Sequence, residues 1–200
     1  MSGISPIDGP VLETERLLLR PPTGDDYPGF RDLIMSDRGR FIGGPLEDEG
    51  RAWCAFASII GHWHMRGYGT FTITDSQSDA PLGVCGHWEP AGWPALELGW
   101  SLFDGQEGKG IAVEAAMAVR DYSFLEMQVD SIYSFIDPRN HRSVAVAKAV
   151  GGVLEADAAT PSEDTQAWRH DRPHDLKQTE DNSGAHRPLN PGHRLPTSIR

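Results

Sequence analysis

The stretch that decides the fold reads Leu96-Glu97-Leu98-Gly99-Trp100-Ser101-Leu102-Phe103, then Asp104-Gly105-Gln106-Glu107-Gly108-Lys109-Gly110, then Ile111-Ala112-Val113-Glu114-Ala115-Ala116. In the first part Leu96, Leu98, Trp100 and Leu102 alternate with Glu97, Gly99 and Ser101, the period-2 signature of a strand. In the last part Ile111, Ala115, Val119 and Tyr122 recur at helical spacing, widened by Ala112, Ala116 and Ser123, which predicts a helix from near Gly110 to near Met127. A glycine-rich loop joins the two. The first turn of a helix leaves its backbone N–H groups without intrahelical partners, and the helix dipole adds partial positive charge there. Glycine lets an anion approach the backbone closely, so strand, glycine loop and helix together can cradle a phosphate. Lys109 adds a formal positive charge to the loop.

On these residues alone, an anion site and an ordinary glycine-rich turn stand as even alternatives. A nucleotide-triphosphate P-loop is excluded, because Lys109 precedes Gly110 and no hydroxyl follows it. A dinucleotide fingerprint is disfavoured: Val113 stands where its third glycine would fall, and the loop comes late in the chain.

Working outward, Val11 to Arg20 reads as a strand that Pro21-Pro22 ends. A helix follows from Thr23, an N-cap candidate, to about Ser36, with Tyr27, Phe30, Leu33 and Ile34 on one face. Gly43-Gly44-Pro45 breaks the chain before a second helix from about Glu47 to Met65. Gly69 to Thr74 and Pro81 to Trp88 form a hairpin around Asp75–Asp79, and Pro90 to Pro94 is a loop. After the central stretch, Ser131 to Ile136 is a strand and Asn140 to Val150 a short helix stopped by Gly151-Gly152. Val153 to Ala156 and Gln166 to His170 complete the set. The order β-α-α-β-β-β-α-β-α-β-β predicts a mixed α/β fold with a largely antiparallel central sheet flanked by helices.

The 200 residues suit one domain, and 38% hydrophobic content is enough for a real core. Residues 1–10 are expected to be an N-terminal extension, 11–171 the domain, and 172–200 a polar tail too poor in large apolar residues to order itself. The net charge is −11, and an acidic body repels nucleic acid and anionic lipid while it tolerates a cationic amine. No apolar run approaches the roughly 18 residues of a membrane span, and residues 1–10 lack the pattern of a signal peptide, so the expectation is a cytoplasmic protein. The two cysteines, Cys54 and Cys85, are expected to be buried thiols rather than a disulfide. His62, His64, Cys85 and His87 have no known metal spacing, so no metal is expected. Trp53, Trp63, Trp88, Trp93 and Trp100 are read as core and edge packing rather than as the lining of an acceptor groove.

The wider pattern is specific. Gly108-Lys109-Gly110-Ile111-Ala112-Val113-Glu114-Ala115-Ala116 resembles motif A of the GNAT acyltransferase superfamily, Gln/Arg-x-x-Gly-x-Gly/Ala, with the small residues at Gly110 and Ala112 and Glu107 departing from the first position. Leu12 to Arg20, Gly92 to Trp100, Asn140-His141-Arg142-Ser143 with Gly151, and Trp168-Arg169-His170 are similar, in that order, to segments of its RimJ/RimL-type branch, which acetylates protein N-termini and related amines. The resemblance implies an N-acetyltransferase that moves an acetyl group from acetyl-CoA to a primary amine by direct attack, with the amine on a protein N-terminus or a small molecule. A monomer or homodimer is expected.

By this resemblance Glu107, Gly108, Lys109, Gly110, Ile111 and Ala112 hold the CoA pyrophosphate. The backbone of Trp100, Ser101 and Leu102 pairs with the pantetheine amides, and Asn140 and Ser143 border the pantetheine arm. Glu97 is the candidate base, because an apolar strand would raise its pKa toward a useful range; the alternative is a solvated strand carboxylate. Asn140 also reads as an N-cap. Many superfamily members carry a Tyr acid where this chain has Ala147, so protonation of the leaving group falls to Ser143, to water or to nothing. Glu107 and Ala147 leave a second reading open, a non-catalytic acyl-CoA-binding or regulatory domain.

Overall fold

The computed structural model describes residues 7–173; the expected extension lies partly, and the expected tail almost wholly, outside them. The predicted first strand is two: β1 (Leu12–Glu13) and β2 (Leu17–Arg20) pair antiparallel with each other. Thr14 makes the corner, its hydroxyl accepting the Leu17 N–H at 2.9 Å. α1 (Tyr27–Ile34) and α2 (Glu49–Arg66) follow, then β3 (Thr70–Asp75), β4 (Pro81–Trp88), β5 (Glu97–Leu102), α3 (Ile111–Leu125), β6 (Ser131–Ile136), α4 (His141–Ala149), β7 (Val153–Leu154) and β8 (Gln166–Asp171). Before α1 and α2 the chain makes single turns of 3-10 helix at Gly24–Asp26 and Asp37–Phe41.

The eight strands of the described residues lie in the order β1-β2-β3-β4-β5-β6-β8-β7. Every pairing is antiparallel except β5 with β6, which run parallel because α3 carries the chain back to the starting end. The expected mixed α/β architecture is present. Adjacent residues of β4 separate its two faces: Cys85 joins the α3 core with Phe71, Leu98, Ala115 and Val119, whereas Val84 meets Leu33 of α1 and Phe103. α1 and α2 pack on each other through Phe30, Ile34, Ala52 and Phe56.

A buried carboxylate fixes the start of α1. Asp26 accepts from the Arg20 guanidinium at 2.8 and 2.9 Å, from the Thr23 N–H at 2.8 Å and from the Thr72 hydroxyl at 3.0 Å. Burial opposes its ionisation, yet these donors hold its pKa below the ordinary carboxylate value.

Two packing expectations are corrected. Cys85 is buried, but Cys54 is exposed. Trp53 is 59% exposed, while Trp63 is buried with its indole N–H on the Thr70 carbonyl. Both misplaced side chains lie on α2, whose inner stripe runs through Ala52, Phe56 and Trp63 and turns residues 53 and 54 outward.

Candidate active site

β5 and β6 touch at one register position, Glu97 opposite Tyr133, and then part. At the foot of the opening the Tyr133 N–H donates to the Leu96 carbonyl at 3.0 Å, and the Ser134 hydroxyl donates to the Leu98 carbonyl at 2.7 Å. Leu96 and Leu98 therefore turn their carbonyls toward β6. By the alternation of a strand, Trp100 and Leu102 present backbone groups to the same open edge, while Gly99 and Ser101 present theirs to β4. Of the three residues expected to meet a pantetheine arm, two thus offer backbone polar groups to the gap. The Leu102 carbonyl also accepts from the Arg38 guanidinium at 3.0 Å.

Beyond Leu102 the chain enters the glycine loop. Gly110 is the N-cap of α3 at φ 78°, ψ 0°, a left-handed conformation that glycine adopts without penalty. No side chain caps α3, so its first-turn N–H groups keep their capacity for an anion. Lys109 is exposed, its ammonium 2.9 Å from the Gln106 side-chain oxygen. Arg16 braces the loop from the β1–β2 corner, donating to the Lys109 carbonyl at 3.0 Å and to Glu114 at 2.5 and 2.8 Å. Glu114 also accepts the Thr14 hydroxyl at 2.6 Å. Burial opposes ionisation of Glu114, but Thr14 and Arg16 outweigh it and its pKa is lowered. This carboxylate thus anchors the first sheet corner to the helix, beyond its favourable place near the helix dipole.

Glu107, the departure from the motif, is not alone. Its carboxylate pairs with Arg38, from the 3-10 turn before α2, and lies 3.8 Å from Arg142 of α4. Although partial burial opposes it, its own backbone N–H and the two arginines lower its pKa. Two cations from distant segments therefore flank the loop where the motif carries its own polar side chain.

Glu97 stands at the closed end of the opening. Its carboxylate accepts the Trp93 indole N–H at 2.8 Å and reaches over the bare Cα of Gly99. Crowding by protein atoms pushes its pKa up to about 7, with the Trp93 hydrogen bond pulling the other way. Tyr133 stacks with Phe135 on β6, ring centroids 6.0 Å apart, and its hydroxyl donates to Glu155 at 3.0 Å.

The far wall belongs to α4 and β8. Asn140 is the N-cap of α4, accepting the Ser143 N–H at 3.3 Å. Ala147 is fully buried against Ile136 and Trp168, with Val144 and Trp100 packed around them. His170 and Ser134 face each other at 3.0 Å. Among the described residues, no three His, Cys, Asp or Glu side chains gather as a metal site would need, and no helix is long and apolar enough to cross a membrane.

Glu97, Trp100 and Leu102 lie along β5 and lead into the 107–112 loop, while the first turn of α4, which Asn140 caps at Ser143, reaches the loop through Arg142 and Glu107 and the Trp100 cluster through Val144. The sequence reading missed Arg16, Arg38, Arg142, Trp93 and Trp168. Trp93 stands four residues before Glu97, and Arg16, Arg142 and Trp168 stand inside segments that resemble the family, but no role followed for them from their neighbours in sequence. What each one meets is set by packing, and Arg38 carried no signal at all.

The sequence profile of the Acetyltransferase (GNAT) domain matches residues 16–153, and the chain belongs to that family. It is 33% identical over 150 residues to the uncharacterized protein YkkB of Bacillus subtilis, covering 70% of this chain and 83% of that one. The acetyltransferase of Agrobacterium tumefaciens superposes with a TM-score of 0.78 at 35% identity, covering 82% of this chain and 95% of that one. RimL, a ribosomal L7/L12 α-N-protein acetyltransferase solved with coenzyme A, shares the fold at a TM-score of 0.65 and 18% identity, over 81% of this chain and 98% of its own.

Proposed function

We propose that this chain, through residues 11–171, acetylates a primary amine by direct attack on the thioester of acetyl-CoA. The observation that carries the reading is the place of Glu97: a carboxylate held by the Trp93 indole at the point where β5 and β6 part, where burial pushes its pKa up to about 7. The uncapped N-terminus of α3 and the amides of Gly108 to Ala112 hold the pyrophosphate. Trp100 and Leu102 pair with the pantetheine as a partial strand, and Asn140 and Ser143 border its far end.

An amine reaches the site mostly as ammonium and becomes nucleophilic only after losing a proton. Glu97, directly or through a water, takes that proton. A pKa near 7 leaves about half of it as base at neutral pH, close to the optimum for general base catalysis. The amine then attacks the carbonyl carbon, negative charge develops on the oxygen, and the C–S bond breaks with its electron pair going to sulfur. Alignment along β5 supplies much of the acceleration, because it places thioester and amine side by side. Ser143 stands on the leaving side as a hydrogen-bond donor; serine is a poor acid, so the thiolate takes its proton from water. The acceptor is a protein N-terminus or a small-molecule amine.

The test is release of free thiol from acetyl-CoA across a panel of N-terminal peptides, polyamines and small amines. Thiol release that depends on one acceptor class supports the reading and names the substrate. The pairing of Glu107 with Arg38 and Arg142 favours a second reading, a non-catalytic acyl-CoA-binding domain. Tight CoA binding with no thiol release across the panel would select it.

A further inference from the structure

We propose that the indole N–H of Trp168 donates to the sulfur of the bound thioester and holds the thiolate as it leaves. The proposal rests on the acetyltransferase reading given above.

Trp168 lies on β8, 6% exposed, and its Nε1 is buried with no hydrogen-bond partner. An unpaired buried N–H costs stability in the free protein, so a donor kept in that state calls for a partner that arrives. Its surroundings supply none. Ile136, Val144 and Ala147 are hydrocarbon, and Trp100 offers only another donor.

Position points to the sulfur. Trp100 stands on β5 and Ile136 on β6, the two strands that part to form the opening, and both belong to the cluster that contains Trp168. The indole therefore packs where the two strands separate, and because Trp168 pairs with Ser134 and Glu97 with its neighbour Tyr133, it lies on the face of the sheet opposite Glu97. The Lys148 ammonium lies 5.5 Å from the Trp168 ring centroid, adding positive charge beside an anion formed here. Ala147, buried on the same wall, carries no polar group.

Among the described residues three other buried side-chain polar atoms lack partners, and none is suited to this task. The Ser123 hydroxyl donates to Val119 and the Ser134 hydroxyl to Leu98, so the Nε2 atoms of His87 and His170 facing those hydroxyls carry the protons. In the His87 ring the unpartnered Nδ1 is then an acceptor, and the His170 ring, set between the Ser134 hydroxyl and the Val150 backbone, has no proton to offer a ligand. Arg38 Nε is a donor, but that guanidinium is bound to the glycine loop.

In the step itself the amine nitrogen bonds to the acetyl carbon and its proton passes to Glu97. The C–S bond breaks and its electron pair stays on sulfur. Trp168 keeps its proton throughout and donates a hydrogen bond that strengthens as charge grows on sulfur, which lowers the barrier to leaving-group departure.

The experiment compares the full chain's affinity for CoA and for desulfo-CoA at about pH 10, where the CoA thiol, less acidic than a cysteine side chain, is mostly thiolate. The native protein should prefer CoA about tenfold, the typical worth of a hydrogen bond to a charged group. Trp168→Phe should abolish that preference with desulfo-CoA affinity unchanged. A preference that survives in Trp168→Phe overturns the proposal and leaves the acetyltransferase reading standing; failure of both ligands to bind the native protein overturns both. A second measurement needs no variant at the site. In protein labelled with 15N at tryptophan, the indole N–H signal assigned to Trp168 should move strongly with CoA and little with desulfo-CoA. Equal shifts with both ligands would overturn the proposal.

Discussion

The two walls of the opening are built in opposite ways. The β5 wall, from Glu97 through the loop to α3, is one continuous segment whose useful groups are mostly backbone: the free edge at Trp100 and Leu102 and the uncapped amides beyond Gly110. The facing wall is assembled from β6, α4 and β8, and its character comes from side chains that meet only after folding: Ile136, Val144, Ala147 and Trp168. A segment that binds through its backbone needs only the right conformation, which local sequence specifies. A wall made of packed side chains needs the whole topology.

Four variants or conditions test that contrast, starting with the largest effect. Glu97→Gln removes the base from the first wall and should lower the acetylation rate about a hundredfold or more, with CoA affinity kept. In the native protein the rate should rise through pH about 7 as Glu97 ionises, and the variant should lose that inflection. A variant whose pH–rate profile is unchanged would remove Glu97 from its role.

Gly110→Val probes the same wall through the backbone. A β-branched side chain is strained at φ 78° and would intrude on the anion cradle, so CoA affinity should fall at least about tenfold by calorimetry. Gly92→Val, at φ 84° in a loop away from the cradle, is the control for strain alone. Equal CoA affinity in both variants would break the loop assignment.

Acid probes the assembled wall. His170 is buried, which lowers its pKa to about 4; the Val150 backbone opposes this and the Arg120 charge reinforces it. His87 is driven to about 3, chiefly by burial. In the unfolded chain both take up protons near pH 6.5. Stability is therefore full above about pH 6.5 and falls as pH drops toward the folded-state values, at up to about 1.4 kcal/mol per pH unit for each ring. Thermal melts from pH 7 to pH 4.5 should show the decline, and His170→Gln should flatten it. An unaltered slope in that variant would clear His170 of the effect.

The smallest effect sharpens the role of the loop's odd residue. Glu107→Gln frees Arg38 and Arg142 from their carboxylate and should raise CoA affinity about threefold at low salt, fading at high salt as exposed ion pairs do. Weaker binding would mean that Glu107 positions the arginines rather than competing for them.

Legibility in the sequence followed the same divide. The β5–loop–α3 unit was readable because alternation, glycine and helical spacing all lie within one short segment. The corner at Thr14 was not, since splitting one strand into β1 and β2 depends on Glu114, a hundred residues away in sequence. Trp53 and Cys54 were read as buried from residue type, and the orientation of α2 turned them out.

By itself, then, the sequence determined the element order apart from the split of the first strand, and it marked out the glycine loop and the candidate base, because period-2 and helical patterns and a glycine hinge are properties of neighbouring residues. The tertiary structure alone decided that Glu97 lies where β5 and β6 part, that Arg38 and Arg142 converge on Glu107, and that the indole N–H of Trp168 is buried without a partner. Each of these joins residues far apart in the chain, and only closure of the sheet brings such residues within reach of one another.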